Sequence, residues 1–282
     1  METKTVTPNA NPKVNPNQAK IDQNKRMVDN LSNIKNQIVV FSGKGGVGKS
    51  TVTTNLSYTL LKKYKDIGLL DADITGPNIP KMVGSEDQPY AKDKTTIYPI
   101  DKNGLKLISM APLIPKNEAV IWRGPLRTGV ITQFLSDVVW GKLDILLSDL
   151  PPGTGDEILT LVQTVKPKIA IIVTTPQEVS LQDCRRAISM AKKLNIPKIA
   201  VVENMAGLIC PHCGDVIDFF GKGGGEKMAK EMEVEFLGSI PMEMKNRECG
   251  DDGTPIVLKY PESITTKAFT DIANKIEKLL EK

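Results

Sequence analysis

The sequence predicts an α/β protein with a mostly parallel sheet covered by helices on both faces. Three observations predict it. Short apolar, β-branched runs at 38–41, 67–70, 143–149, 169–173 and 199–202 alternate with stretches of helical apolar spacing. Strands apolar on both faces belong in a parallel sheet buried between helix layers. The first run leads straight into Gly43-Lys44-Gly45-Gly46-Val47-Gly48-Lys49-Ser50, a G-x-x-x-x-G-K-S octapeptide in strand–loop–helix context. Two later runs end in acids, Asp71 and Asp149, each entering a turn rich in Gly and Pro. Ligand crevices of open parallel sheets lie at such carboxyl ends of strands.

Residues 1–20 are polar and rich in Asn, Pro and Lys; they cannot offset their ordering entropy by burial and are expected to form a disordered tail. Residues 21–282 are expected to form a single domain with a Cys-x-x-Cys insertion near 205–225. Ile21, Val28, Leu31 and Ile34 are spaced for a short amphipathic helix, or for part of the flexible tail. In the octapeptide the glycines permit positive φ, so consecutive N–H groups can point at one anion. The following helix adds its positive end. Lys49 is expected to reach the β- and γ-phosphates of a nucleotide, and the Ser50 hydroxyl to ligate Mg²⁺. A second lysine, Lys44, is not required by the general pattern.

After the loop, Val52, Leu56, Leu60 and Leu61 share one helical face, ending near Tyr64. Asp71-Ala72-Asp73-Ile74-Thr75-Gly76-Pro77-Asn78 reads as a site loop. Residues 84–117 are turn-rich, with strand-like pieces at 96–100 and 105–110. The stretch 120–140 reads as helix, interrupted or restarted at Gly124-Pro125. The strand 143–149 has the form of a Walker B segment, so Asp149 is expected to hold Mg²⁺ opposite Ser50, directly or through water. The loop 150–156 is too rich in Pro and Gly for regular structure and offers backbone that could sense a γ-phosphate. A helix is expected over 179–194, and the strand at 199–202 leads to Glu203-Asn204-Met205. The Gly-rich stretch 221–225 lacks the terminal G-K-[ST] and reads as a mobile helix-entry loop, not a second nucleotide site. A helix, a strand over 234–240 and Pro241 follow. In the last helix, 263–280, Phe269, Ile272, Ile276, Leu279 and Leu280 form one stripe. Its polar face is not predominantly basic, so the stripe is expected to pack on the sheet rather than anchor a membrane.

The totals exclude several classes. At 282 residues the chain can bury a sizeable core. Six of its basic and three of its acidic residues lie before residue 36, leaving about +1 on the rest of a chain of net charge +4. No global field argues for nucleic acid or a membrane. No apolar run approaches the ~18 residues of a transmembrane helix, and no apolar h-region marks a secretory signal. The four cysteines do not make a disulfide scaffold and read as cytoplasmic thiols.

Cys210-Pro211-His212-Cys213 supplies half of a four-thiolate site. No second pair exists, and Cys184 and Cys249 are isolated, as small buried thiols commonly are. Four readings stay open for the pair. It could be a thioredoxin-like disulfide, an intrachain zinc site with missing ligands, or an interchain Cys₄ site about a two-fold axis holding zinc or an iron–sulfur cluster. It could also be a carrier's pair, empty in some states.

Several further motifs accompany these: Ser42-Gly-Lys-Gly-Gly-Val-Gly-Lys-Ser-Thr51, Trp122-Arg-Gly-Pro125, Asp149-Leu-Pro-Pro-Gly-Thr-Gly-Asp156, Glu203-Asn-Met205 and Gly238-Ser-Ile-Pro241. With the Asp71–Asn78 loop and the cysteine pair, they make the chain resemble the Mrp/Nbp35 (ApbC-type) iron–sulfur cluster carriers, P-loop NTPases of the deviant Walker A class. The resemblance spans nearly all of 38–258 and implies an ATPase that hydrolyses ATP slowly. It implies that residues 43–51 (Gly43, Lys44, Gly45, Gly46, Val47, Gly48, Lys49, Ser50 and Thr51) bind ATP, and that Lys44 crosses a homodimer interface to the partner's nucleotide. Asp73 would position the attacking water, with Asp71 beside it near Mg²⁺. Asn204 would contact the adenine, and the segment after Pro241 would close over it. Cys210 and Cys213 would ligate a labile [4Fe–4S] cluster shared between two subunits. The cluster would come from an assembly scaffold and pass to apo iron–sulfur acceptor proteins. No cysteine precedes Cys184, so the amino-terminal cluster of the eukaryotic Nbp35 branch is not expected.

A partitioning or positioning ATPase of the ParA/MinD type is the alternative; it calls for a DNA-binding basic patch or a membrane-seeking helix, and neither stands out. A reductase like the nitrogenase iron protein would carry a cysteine in 150–156, which has none. A zinc-bridged dimer would contain zinc rather than iron.

Overall fold

The computed structural model describes residues 16–74, 76–113, 124–210 and 212–281. The start of the expected tail, Thr75, Trp122 and Arg123, Pro211 and the first residues of the helix expected over 120–140 lie outside them. Helix α1 (Pro16–Ser32) leads into β1 (Ile34–Phe41), α2 (Lys49–Leu61), β2 (Ile67–Asp71) and the short α3 (Ile79–Met82). A hairpin, β3 (Tyr90–Asp93) and β4 (Thr96–Tyr98), precedes β5 (Ile100–Lys102) and β6 (Leu105–Ile108). Then come α4 (Gly124–Ser136), β7 (Leu143–Asp149), α5 (Asp156–Val165), β8 (Ile169–Thr174), α6 (Glu178–Lys193) and β9 (Lys198–Ile209). The chain closes with β10 (Val216–Ile217), α7 (Gly224–Glu231), β11 (Glu235–Met242), α8 (Met244–Asp252), α9 (Ile256–Lys259) and α10 (Ile264–Glu281).

The main sheet runs β10-β9-β8-β1-β7-β2-β6-β5, with β11 also paired to β9. Its pairings are parallel except β10 on β9 and β5 on β6. β1 lies between β7 and β8, so the chain leaves it to one side for β2 and returns to the other for β8. That switch point opens the crevice above the carboxyl end of β1.

Side chains alternate between two apolar layers, as strand geometry demands. Ile38, Val40, Ile145, Leu147, Ile169 and Ile171 pack under α2 and α10, where Phe269, Ile272 and Ile276 face them. Val39, Phe41, Leu146, Ala170 and Ile172 pack on the other face against α4, α5, α6 and α7. Burying each large aliphatic side chain contributes about 1.5–3 kcal/mol. The last helix therefore spends its stripe on the sheet, as its spacing predicts. Among the described residues no helix is long and apolar enough to cross a membrane.

Four differences from the expected elements have physical causes. Residues 16–20 are helical, not tail, because α1 docks on the end of α4. There Arg26 pairs with Asp137 at 3.0 Å, Met27 and Leu31 join the core, and Asn30 Nδ2 donates to the carbonyls of Leu135, Ser136 and Val138. Helix α4 accordingly ends at Ser136 rather than 140. Helix α5 was hidden by the Pro/Gly-rich loop before it, although Ile158, Leu161, Val162 and Val165 have helical spacing and are buried. Strand β9 runs to Ile209 instead of stopping at 202, because β11 and β10 supply non-local partners as far as Leu208 and Ile209. Met205 (φ +58°) and Gly207 (φ +82°) break its alternation and conceal it from a periodicity reading.

Candidate functional site

Residues 43–50 join β1 to α2 at the switch point. Gly46 and Gly48 hold φ of +82° and +78°, a conformation costly to other residues. The Ser42 hydroxyl donates to the Lys44 carbonyl at 2.8 Å, and the Gly153 N–H donates to the Ser42 carbonyl at 2.8 Å. The loop after β7 is thus tied to the phosphate loop.

Two strand ends deliver their acids to this loop. Asp149 is fully buried, and three donors meet it: Lys49 Nζ and Ser50 Oγ each at 2.7 Å from Oδ2, and Thr53 Oγ1 at 2.7 Å from Oδ1. Lys49 Nζ also lies 3.6 Å from Asp73 Oδ2. Ser50 and Asp149 therefore present hydroxyl and carboxylate oxygens together, a donor set suited to a hard cation such as Mg²⁺.

Asp71, expected near the metal, is the register partner of Asp149 on the neighbouring strand, and both of its oxygens have partners within the protein. Its Oδ2 accepts from Ser109 Oγ at 2.9 Å, and its Oδ1 accepts from the Asp73 N–H at 3.3 Å. Burial pushes its carboxyl up to about 8, reinforced by the Asp149 charge; Ser109 and Lys49 oppose the rise, and Asp73 adds to it. Asp71 thus supports Asp73 from behind, while Asp73 lines the cavity over the loop.

That cavity, about 200 Å³, is bounded by Gly45, Lys49, Ser50, Asp73 and Pro152. A second cavity of about 640 Å³ shares Gly48, Thr51, Asn78 and Met82 with it and is lined by Asn204, Met205, Pro241, Met242 and Arg247. The pair has the shape of a phosphate pocket opening into a larger apolar one, within the usual size of ligand sites. Asn204 Nδ2 donates to the Val47 carbonyl at 2.9 Å, so the larger cavity and the phosphate loop share a hydrogen bond. Lys44 is half-buried on the loop and forms no ion pair among the described residues.

The cysteine pair lies elsewhere, at the tip of the β9–β10 hairpin. Cys213 is exposed and Cys210 partly so. The Cys210 and Gly214 N–H groups donate within the turn, to the carbonyls of Asp215 and Cys210, both at 2.9 Å. The Cys213 thiol lies 3.3 Å from Asp215 Oδ2. Backbone N–H groups of Cys213 and His212 aimed at the Cys210 sulfur, with the Cys213 side chain, lower its pKa. This favours the thiolate that binds metal. Among the described residues no group of three or more His, Cys, Asp or Glu could hold a metal ion. Cys184 and Cys249 are buried, as expected of inert thiols; burial pushes Cys184 up to about 12 and raises Cys249.

One residue was missed. Glu203, at 0% exposure, accepts from the N–H groups of Gly225 (2.6 Å) and Gly223 (3.3 Å) and from Ser239 Oγ (3.1 Å). The end of the glycine-rich stretch, where it enters α7, is therefore hydrogen-bonded to β9. An acid directly after an apolar strand was the available signal, the same one that marked Asp71 and Asp149.

Loop, acids and paired cavities together are those of a P-loop nucleotide-binding NTPase. A family model described as ParA, NUBPL iron-transfer P-loop NTPase, matches residues 33–277. The iron–sulfur cluster carrier protein of Methanocaldococcus jannaschii is 53% identical over 264 residues, covering 92% of this chain and 89% of that protein. That of Synechocystis is 46% identical, over 92% of this chain and 75% of that protein. The chain belongs to this family of iron–sulfur cluster carrier P-loop NTPases. A nucleotide-binding protein from Archaeoglobus fulgidus, solved in complex with ADP, superposes with a TM-score of 0.74 at 37% identity, covering 87% of this chain and 96% of that one. MinD from Pyrococcus horikoshii, solved with Mg-ADP, follows at 0.64 and 26%, covering 86% and 96%. MinD and ParA proteins are relatives in fold; the partitioning alternative has no further support.

Proposed function

We propose that this chain is an ATP-binding, slowly hydrolysing homodimer that carries a [4Fe–4S] cluster between the Cys210/Cys213 pairs of two subunits. It would take the cluster from an assembly scaffold and deliver it to apo-proteins in the cytoplasm, where its thiols stay reduced. The observation that carries this reading is the hairpin itself: two accessible sulfurs, one with a lowered pKa, and no further ligand among the described residues. Two thiolates from each of two copies about a two-fold axis complete a four-thiolate set.

The nucleotide site supports the ATPase half. Residues 43–51 surround the phosphates, Lys49 neutralises their charge, and Asn204 and Pro241 flank the base. Ser50 and Asp149 would hold Mg²⁺, which supplies further charge neutralisation on the phosphates. Asp73, set at the cavity rim by its backbone bond to Asp71, orients the attacking water. Lys44, with no ion partner among the described residues, reaches the partner's nucleotide and adds to transition-state stabilisation.

The test is iron and acid-labile sulfide per dimer after anaerobic reconstitution, with and without ATP. The parent is expected to hold one cluster per dimer, and Cys210→Ala with Cys213→Ala none. If that double variant assembles and delivers a cluster to an apo-acceptor as the parent does, the reading is wrong. Zinc in place of iron on metal analysis would favour a structural bridge instead.

A further inference from the structure

Both limbs of the cysteine hairpin root in one dipeptide, Glu203-Asn204. The outgoing limb is β9, which passes through Glu203 and Asn204 before reaching Cys210. The return limb leaves β10 and docks through Gly223 and Gly225, whose N–H groups the Glu203 carboxyl accepts at 3.3 and 2.6 Å. A Cβ on Gly225 would lie 3.0 Å from Glu203 Cβ and Oε2, so the limb is seated directly on this side chain. Ser239 on β11 closes the cluster from the third side at 3.1 Å, two residues before Pro241 of the base-side cavity.

The neighbouring Asn204 faces the nucleotide site. It donates to the Val47 carbonyl of the phosphate loop and lines the base-side cavity together with Met205. Met205, a non-glycine residue at φ +58°, and Gly207, at +82°, stand between Asn204 and the cysteines. A non-glycine residue held at positive φ, as Met205 is, persists only where its surroundings over-determine it, and such residues cluster at functional sites and switch regions. Glu203 has no ion pair among the described residues; its burial is offset by two N–H groups at the amino end of α7 and by one hydroxyl. A buried acid is costly unless its hydrogen bonds are made, so Glu203 and its three donors hold one another in place.

We propose that Glu203 is the positioning residue that couples the nucleotide site to the cysteine hairpin. Through Asn204 it senses the phosphate loop and the base-side cavity; through Gly223 and Gly225 it holds the limb that returns from Cys213. The proposal deepens the carrier reading but is tested without a cluster, so that the two can fail separately.

The experiment uses the full-length, reduced, anaerobic protein. Alkylation of Cys210 and Cys213 by N-ethylmaleimide is timed by mass spectrometry, with and without saturating Mg-ADP. The buried Cys184 and Cys249 report folding. In the parent, ADP is expected to change the rate at the pair by about fivefold or more, a coupling of ordinary size. In Glu203→Gln and in Ser239→Ala the ratio should collapse toward one, with ADP affinity changed less than about threefold and Cys184 and Cys249 still protected. If Glu203→Gln exposes Cys184 and Cys249, it has unfolded, and Ser239→Ala decides alone. A parent whose rates ignore ADP overturns the proposal, as do folded variants that keep the parental ratio. A parent that shows the coupling yet binds no cluster overturns only the carrier reading.

Discussion

Replacing Gly48 with alanine tests the contact between the phosphate loop and β9. Gly48 caps α2 at φ +78°, ψ +27°, where a Cβ costs about 1–2 kcal/mol. The new methyl would also lie 2.3 Å from Asn204 Nδ2 and 3.5 Å from Met205 Cε. The Asn204 amide must swing away and give up its bond to the Val47 carbonyl. Losing such a bond costs about 0.5–1.5 kcal/mol, more where the carbonyl stays buried. Gly48→Ala is therefore expected to destabilise by about 2–4 kcal/mol in the parent. In an Asn204→Ala background the clash is gone and only the backbone cost of about 1–2 kcal/mol remains. The coupling, on the order of 1–2 kcal/mol, is read from a double-mutant cycle of urea midpoints at constant m. Calorimetry should show ADP affinity falling in Gly48→Ala. Equal costs of Gly48→Ala in the two backgrounds would refute the contact.

Two further outcomes follow from the site. Lys49→Ala is expected to abolish nucleotide hydrolysis, and Lys44→Ala to reduce it at least tenfold while leaving single-subunit ADP binding nearly intact; parental turnover in Lys44→Ala removes its cross-subunit role. Asp71 is held up near 8 by burial and by Asp149, so the folded state keeps its proton over a range where the unfolded state has lost it. Its contribution is full below about pH 4 and falls as pH rises toward 8, by on the order of 1 kcal/mol per pH unit. Urea midpoints in chelator-containing buffer should show that slope flattened in Asp71→Asn; an unchanged slope would assign the dependence to other groups.

The parts of the site that could be read directly were those whose chemistry lies in consecutive residues. The octapeptide needs no distant partner to declare an anion site, because its glycines, lysine and serine act through adjacent backbone. Asp149 lies beside the phosphate loop as its position at the end of an apolar strand implies, because the carboxyl ends of parallel strands open onto the same crevice. Asp71 carried the same signal and lies beside Asp149 on the neighbouring strand; what the sequence does not show is that Ser109 takes one of its oxygens. Glu203 carried it too and was passed over, as its partners lie 20 to 36 residues away on a loop and on another strand. Helix α5 was lost for a local reason, its entry being masked by Pro and Gly, whereas β9 was cut short because its continuation depends on strands that follow it.

By itself the sequence determined the α/β architecture with helices on both faces of the sheet, the phosphate loop and the presence of a two-thiol half-set. Apolar periodicity and short motifs are local consequences of strand, helix and loop geometry. Only the tertiary structure decided that Asn204 meets Val47 across 157 positions of chain, that Glu203 accepts from the N–H groups of Gly223 and Gly225, and that one strand lines the larger cavity and leads to the thiol pair. Those facts depend on which strands become neighbours and on who accepts each buried hydrogen bond, and no local pattern encodes either.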